Sequence, residues 1–319
     1  MTSAPLAARL SVPSGPLFFP VTAYGPDGAV DLDVYRAHVR RGVDAGAAAV
    51  FACCGTGEFH ALTPEEFQSC VRAAVEETAG RVPVVAGAGY GTALAVRYAR
   101  LAEDAGADGL LAMPPYLVVA GQEGLLRHYR ELAGATSLDI VVYQRDNAVF
   151  TPETVVELAR TEGVIGFKDG VGDLDLMQRI VSAVRSEVPG DFLYFNGLPT
   201  AELTGLAYRG IGITLYSSAV FCFAPEIALA FHQALNAGDD AGDAVVNQLL
   251  DGFYRPFVDL RAQGRGYAVS LVKAGVRLRG LDVGEVRPPL HEPAEEHVKQ
   301  LAQLIERGYA LLQLQKEGM

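Results

Sequence analysis

The chain has 319 residues, 50% of them hydrophobic, with 35 glycines and 17 prolines, a composition typical of a globular protein with a substantial core and many turns. Its formal net charge of -12 argues against a nucleic-acid partner, because binding to phosphates needs a basic face. A small anionic substrate would need a locally positive site, and no apolar run is long enough to cross a membrane.

Eight short runs rich in valine, isoleucine and phenylalanine recur along the chain. Their near-continuous apolarity, without alternation, is typical of parallel strands that are buried on both faces. The strands are predicted at residues 17–21, 48–53, 82–86, 109–113, 139–143, 164–168, 192–195 and 212–216.

Helical patterns separate these runs, and several have recognisable ends. Residues 63–66 (Thr-Pro-Glu-Glu) combine an N-cap, a proline at the first helical position and a capping-box glutamate. Residues 151–153 (Thr-Pro-Glu) begin another helix in a similar way. Gly46, Gly106 and Gly210 follow helical stretches, where a left-handed C-cap favours glycine.

About eight strand–helix units within ~250 residues are typical of a closed (β/α)8 TIM barrel. A doubly wound open sheet is the structural alternative, because spacing alone does not exclude it. The remaining residues show no further strand pattern, and helices are predicted at 224–237, 243–262, 267–279 and 295–314. We therefore predict an α/β chain: a barrel over residues 1–237, with an appended bundle of C-terminal helices over residues 238–319 packed on the barrel.

The four cysteines, Cys53, Cys54, Cys70 and Cys222, show no CxxC or metal-finger spacing, and the adjacent pair is poorly placed for a disulfide. Reduced, buried thiols are therefore expected. The first sixteen residues do not have the pattern of a signal peptide. We expect a cytoplasmic protein that does not associate with membranes and has no metal site.

Lys168 ends the apolar run in GVIGFKDG, where desolvation of an ammonium is costly. Reactive groups of α/β barrels lie at the C-terminal ends of the strands, so its amine should point into the mouth, next to Tyr143 at the end of the fifth strand. A lysine with a lowered pKa is a nucleophile that forms a Schiff base with a ketone, and a tyrosine can shuttle the protons. The alternative is a lysine that reaches past the strand end to a salt bridge with Asp169, and position alone leaves both open.

Three other strand ends carry candidate binding groups. The turn Gly55-Thr56-Gly57-Glu58 could cradle a carboxylate with backbone N–H groups, or could be only a tight turn. Arg145 could clamp a carboxylate, or could pair with Asp146. Ser217 and Ser218 could face the mouth, or could cap a helix. The glycine-rich residues 86–92 lack the full spacing of a dinucleotide-binding loop.

Together these residues resemble the N-acetylneuraminate lyase / dihydrodipicolinate synthase superfamily of Schiff-base-forming barrels, over almost the whole chain. The segments GTGEFHALTPEEF, YQRDN, GFKDGVGD, YSSAVF and GYAVSLVKAG are more narrowly similar to its 5-dehydro-4-deoxyglucarate dehydratases. The resemblance implies decarboxylating dehydration of 5-dehydro-4-deoxy-D-glucarate, a small anionic keto-acid, to 2,5-dioxopentanoate, carbon dioxide and water. It implies a covalent lysine imine and no cofactor.

The resemblance also implies roles for individual residues. Lys168 is the expected Schiff-base lysine, Tyr143 the catalytic tyrosine, and Tyr116 a residue that reaches across a dimer interface in a homo-oligomer, either a dimer or a tetramer. The residues implied to bind the substrate are Gly55, Thr56, Gly57, Glu58, Arg145, Asn147, Ser217 and Ser218.

Three residues depart from the expected pattern. Gln144 and Cys222 stand where the resemblance leads us to expect asparagine, and His60 stands where it leads us to expect an aromatic or similar residue. Two alternative functions therefore stay open. One is another class I aldolase or synthase of the superfamily that acts on pyruvate and an aldehyde, with the same lysine and tyrosine. The other is a non-catalytic keto-acid-binding protein on the same fold, which the changes at Gln144 and Cys222 favour and which intact Lys168 and Tyr143 oppose.

Overall fold

A computed structural model of the chain describes residues 5–11 and 15–317. Eight parallel strands pair in chain order, and the first also pairs with the eighth, so the predicted closed barrel is confirmed and the open sheet is excluded. The strands are β1 Leu17–Phe18, β2 Ala49–Ala52, β3 Val84–Ala88, β4 Gly109–Ala112, β5 Asp139–Gln144, β6 Val164–Asp169, β7 Leu193–Asn196 and β8 Leu215–Ser218.

One helix follows each strand of the barrel, and a short helix precedes the first strand. In α1, Leu6–Ser11, Leu6 and Leu10 pack with the side chains of the barrel interior, although the sequence pattern had not indicated a helix there. The helices that follow the strands are α2 Leu32–Asp44, α3 Pro64–Thr78, α4 Thr92–Asp104, α5 Gln122–Ala133, α6 Pro152–Ala159, α7 Leu174–Glu187, α8 Gly205–Gly210 and α9 Pro225–Ala237.

The helix caps agree with the sequence except in one place. At α3 the Thr63 side chain accepts from the Glu66 backbone, and the Glu66 carboxylate accepts from the Thr63 backbone, so the capping box is confirmed. Gly46 and Gly106 have the expected left-handed conformation, with φ of 103° and 87°. The prediction for Gly210 is wrong, because α8 ends there and the left-handed residue is Gly212, with φ of 82°.

The eighth strand begins later than predicted, at Leu215 rather than at residue 212. Gly212 has a left-handed backbone, so the extended strand can begin only after it. Ser217 and Ser218 consequently lie inside β8. Because successive side chains of a strand point to opposite faces, only one of these two serines can face the barrel interior.

The C-terminal helices are α10 Asp240–Leu249, α11 Arg255–Ala262, α12 Tyr267–Leu278 and α13 Glu295–Glu317. The single helix predicted at 243–262 is interrupted by a π-helical turn over Leu250–Tyr254, just before Pro256, which cannot donate a backbone hydrogen bond. Buried residues of α9, α10 and the π turn belong to one hydrophobic cluster. The division of the chain at residue 237 therefore remains an interpretation, because the core is continuous across it.

The register of two neighbouring strands sets up the site. In the β5–β6 pair Tyr143 is the partner of Lys168, and both lie near the C-terminal ends of their strands, as the barrel interpretation predicts. Within the described ranges, no helix has both the length and the apolarity needed to span a bilayer.

Candidate active site

A cavity of about 400 Å³ opens where the C-terminal ends of the strands meet the C-terminal helices. Six residues that the sequence singled out line it together: Gly55, Thr56, Tyr143, Arg145, Lys168 and Ser217. Phe19, His60, Gly197, Thr200 and Arg261 also line it and had not been predicted.

Lys168 places its amine in a poorly hydrated part of this cavity. The residue is 4% exposed, and Nζ lies 4.1 Å from the centroid of the Phe19 ring and 5.0 Å from that of Tyr143. Burial lowers the pKa of Lys168 to about 7, with a smaller lowering by Arg145 and an opposing effect of Cys54. A large fraction of the amine is therefore uncharged, and nucleophilic, near neutral pH.

The alternative salt bridge between Lys168 and Asp169 is not formed. Asp169 points away from the cavity, and its carboxylate accepts hydrogen bonds from Gln144 Nε2 at 2.7 Å, from the Val171 backbone at 2.9 Å and from the Tyr208 hydroxyl. Gln144 is fully buried, and its Oε1 accepts from the Phe150 backbone at 3.2 Å. Gln144 thus supports the β5–β6 junction from outside the cavity.

The Tyr143 hydroxyl is held between two groups. It donates to the Gly197 carbonyl at 2.9 Å and accepts from Arg145 Nη1 at 3.4 Å. Burial raises the pKa of Tyr143, and Arg145 partly opposes this rise. Gly197 is also pressed against the lysine, because a Cβ there would lie 2.5 Å from Lys168 Cε. Only glycine therefore leaves the lysine side chain in place.

The turn after β2 presents unused backbone donors. Gly55 and Thr56 line the cavity, and within the described part of the chain the N–H groups of Gly55, Thr56 and Gly57 have no hydrogen-bond acceptor. Gly57 lies behind the turn, and its carbonyl accepts from Thr22 Oγ1 at 2.7 Å. An arrangement of this kind can receive a carboxylate.

Glu58, expected at the substrate, lies elsewhere. It has a left-handed backbone, with φ of 55°, and its carboxylate is buried away from the mouth. There it accepts from Lys273 Nζ at 3.2 Å and from the Arg287 backbone at 2.9 Å. Glu58 therefore holds the turn to the C-terminal part of the chain and does not face the cavity.

Three other predicted residues also lie outside the cavity. Asn147 Nδ2 donates to the carbonyls of Pro115 and Val118 at 2.6 and 2.7 Å, which fixes the loop between β4 and α5. Ser218 faces away from the barrel interior and donates to Glu202 at 2.5 Å. Tyr116 is 64% exposed on that loop, with its ring against Tyr90.

The cavity is positive although the chain is acidic. Arg145, Arg261 and Lys168 line it, and its described lining includes no aspartate or glutamate. Arg261 extends from α11 and donates to Thr200 Oγ1 at 2.7 Å. Among the described residues, no group of three or more histidine, cysteine, aspartate or glutamate side chains is arranged to hold a metal ion.

Some residues that line the cavity had not been predicted from the sequence, and one residue that the sequence had singled out, Cys222, lies outside the cavity. Gly197 and Thr200 follow β7 in Asn-Gly-Leu-Pro-Thr, where the strand-end rule could have found them, whereas nothing local marks Arg261 within a helix. Cys222 does not line the cavity, and its thiol donates to the Phe19 carbonyl at 3.2 Å. Cys222 is therefore not itself part of the described cavity wall, although its thiol contacts the backbone of Phe19, which is part of that wall.

Comparisons with known proteins agree with this geometry. The chain is 89% identical over 319 residues, all of both chains, to "Probable 5-dehydro-4-deoxyglucarate dehydratase 1" of Streptomyces avermitilis. It is 45% identical over 307 residues to the "Probable 5-dehydro-4-deoxyglucarate dehydratase" of Rhizobium rhizogenes, which covers 96% of this chain and 99% of the relative.

Solved structures show the same architecture. The dihydrodipicolinate synthase of Bacillus clausii superposes with a TM-score of 0.84 at 27% identity, over 95% of this chain and 99% of that one. The enzyme of that name from Thermotoga maritima superposes with a TM-score of 0.82 at 25% identity, over 94% and 100%. The model of the dihydrodipicolinate synthetase family matches residues 13–308, and the chain belongs to this family.

Proposed function

We propose that this chain converts 5-dehydro-4-deoxy-D-glucarate to 2,5-dioxopentanoate, carbon dioxide and water through an imine on Lys168. The observation that carries the proposal is the buried amine of Lys168, with a pKa lowered to about 7. Its Nζ lies 5.0 Å from the centroid of the Tyr143 ring, in a cavity whose described lining includes no acidic residue. The names of the relatives, given above, support the choice of substrate.

The proposed reaction begins when the uncharged amine attacks the C5 ketone and water leaves, which gives a protonated imine. The imine acidifies the C4 protons, since the electrons of the broken C–H bond can move onto nitrogen. Loss of one C4 proton gives an enamine, and the enamine expels the C3 hydroxyl as water. The product of this step is an iminium conjugated with a C3–C4 double bond.

Decarboxylation then uses the same nitrogen as the electron acceptor. The C1–C2 bond breaks, carbon dioxide leaves, and the electron pair moves through C3 and C4 to the iminium. Protonation at C3 and C4, with loss of the proton of the C2 hydroxyl, produces the aldehyde. Hydrolysis of the imine releases 2,5-dioxopentanoate and the free lysine. Because the protonated imine accepts the electrons, this route uses no separate cofactor.

Each binding role follows from a contact of the site. The free N–H groups of Gly55 and Thr56, which line the cavity, are proposed to hold the C6 carboxylate next to the ketone. Tyr143 is the proposed proton shuttle, because its ring centroid lies 5.0 Å from Lys168 Nζ and its hydroxyl accepts from Arg145 Nη1. Arg145 and Ser217 line the cavity and contact the rest of the keto-acid.

Borohydride trapping tests the proposal directly. With the keto-acid or pyruvate present, reduction should fix a covalent mass on Lys168, and Lys168→Ala should abolish it. Lys299→Ala, at an exposed position of α13, is the matched control and should trap normally. Turnover should release carbon dioxide from the keto-diacid. No trapped mass in the native protein would refute the imine, and formation of pyruvate from sugar acids would point to an aldolase.

We also propose that the chain forms a homo-oligomer, a dimer or tetramer, in which the loop between β4 and α5 meets a second copy. Tyr116, Leu117, Val118 and Val119 are 64%, 82%, 55% and 85% exposed, and water-exposed apolar residues in a row favour a protein contact. Tyr116 would then approach the partner's site. Tyr116→Asp should lower the mass measured by light scattering, and an unchanged mass would contradict this contact.

A cytoplasmic location is supported by the cysteines. All four are free and buried, and burial raises the pKa of Cys54 to about 12, which keeps that thiol protonated and unreactive. Such thiols are typical of proteins in a reducing compartment.

A further inference from the structure

Arg261 differs from Arg145, the other arginine of the cavity, because it forms no ion pair with an acid among the described residues. Its Nη1 donates to the neutral hydroxyl of Thr200 at 2.7 Å, and within the described residues its guanidinium has no ion-pair partner. Burial lowers the pKa of Arg261; attraction to Glu202 opposes this lowering, and repulsion from Arg145 adds to it. A half-buried guanidinium with free N–H donors is costly unless an anion occupies the space in front of it.

The other arginine of the cavity is already engaged. Arg145 Nε donates to Asp146 Oδ2 at 3.2 Å, and its Nη1 donates to the Tyr143 hydroxyl at 3.4 Å. The acid that acts on the Arg261 guanidinium is Glu202, but this carboxyl is 1% exposed and its Oε1 accepts from Ser218. Burial raises the pKa of Glu202 to about 7, so it supplies only part of a negative charge near neutral pH.

The barrel geometry decides which end of a keto-acid could meet Arg261. Lys168 on β6 and the Gly55–Gly57 turn after β2 are four strands apart in an eight-stranded barrel, and thus face each other across the barrel axis. A keto-acid whose ketone carbon is bonded to Lys168 and whose neighbouring carboxylate binds the turn therefore lies across the barrel axis. The remaining carbons must extend towards the mouth, where α11 brings Arg261.

We propose that Arg261 is the residue that selects keto-acids with a second, distal carboxylate. This inference rests on the proposed function, since it assumes a keto-acid held as an imine on Lys168. The guanidinium and the Thr200 hydroxyl together bind the distal carboxylate. Arg261 does not take part in breaking or forming bonds elsewhere in the substrate. It is therefore a specificity residue supplied by the C-terminal helices, and the barrel strands by themselves do not provide it.

The expected kinetic signature follows from the fate of that carboxylate. In the proposed reaction the distal carboxylate departs as neutral carbon dioxide, so an ion pair to it stabilises the bound substrate at least as much as the transition state. Loss of Arg261 should therefore raise KM for the keto-diacid by about 10- to 100-fold and change kcat by less than about threefold.

The test compares two keto-acids that differ only at the distal end, 2-oxoadipate and 2-oxohexanoate, by borohydride trapping. The native protein should reach half-maximal trapping at a concentration of 2-oxoadipate at least about tenfold below that of 2-oxohexanoate. Arg261→Gln should reduce this preference below about threefold without weakening the trapping of 2-oxohexanoate, and Arg261→Lys should keep part of it. Arg255→Gln, which removes an exposed arginine of the same helix paired with Asp251, should behave like the native protein.

Two outcomes would overturn the inference. Arg261→Gln could keep the native preference for the diacid, or it could weaken the trapping of both keto-acids equally, as a merely structural residue would. If the native protein trapped neither keto-acid and not pyruvate, the proposed function would fail first, and the inference would fall with it.

Discussion

Replacement of Lys168 by methionine removes a buried amine and keeps a side chain of similar length. The pKa of this amine falls from 10.5 to about 7 in the folded chain, chiefly because of burial. This difference corresponds to about 5 kcal/mol, the free energy by which folding penalises the protonated form. A cost of this size is typical of residues at functional sites, where activity is kept at the expense of stability.

The pH dependence of this cost has a definite sign. Between about pH 7 and pH 10.5 the unfolded chain binds more protons at this lysine than the folded chain, so its cost to native stability falls as pH rises. Below pH 7 both states are protonated and the full cost is present. Lys168→Met should therefore raise the free energy of unfolding by about 5 kcal/mol at pH 6 and by about 2 kcal/mol at pH 9.

Urea unfolding at a fixed protein concentration, from pH 6 to pH 9, measures this difference directly. Lys299→Met, at an exposed position, is the control and should change stability by less than about 0.5 kcal/mol at every pH. A gain at Lys168 that stayed constant or grew with pH would refute the desolvation argument, even if the variant were inactive.

Two further predictions concern the neighbours of Lys168, and a third concerns the ion pair that anchors the turn after β2. Tyr143→Phe should lower turnover by about 10²- to 10⁴-fold while borohydride still traps pyruvate; equal losses in both assays would argue against a proton-transfer role. Gly197→Ala places a methyl 2.5 Å from Lys168 Cε, so trapping should fall at least about tenfold by mass spectrometry, whereas Gly121→Ala, with no atom within 4 Å, should trap normally. Glu58→Gln leaves Lys273 buried without its charge partner and should cost about 3–5 kcal/mol in urea unfolding; a loss below about 1 kcal/mol would show that the pair is dispensable.

Most of the barrel could be predicted from the sequence because its signals are local. Apolar runs located all eight strands, and Thr63 and Glu66 marked the start of α3 because a capping box involves only four consecutive residues. The errors also have local causes. At Gly212 the left-handed turn moved the start of β8, and the π turn before Pro256 interrupted a pattern that reads as one helix.

The geometry of the candidate site, like that of the barrel, was predicted correctly only in part. The positions of Lys168 and Tyr143 at neighbouring strand ends followed from the strand pattern and the barrel rule, and their pairing in register agrees with it. Glu58 and Ser218 did not follow, because one left-handed residue and one step of strand alternation turned their side chains away from the mouth.

The sequence by itself determined the order of strands and helices and the lysine–tyrosine pair, since hydrophobic periodicity and strand ends are properties of short segments. Only the tertiary structure decided the charge and shape of the cavity. Arg261 reaches Thr200 across 61 residues of chain, and Glu58 meets Lys273 across 215. Such contacts depend on how the C-terminal helices pack over the barrel, and no short segment carries that information.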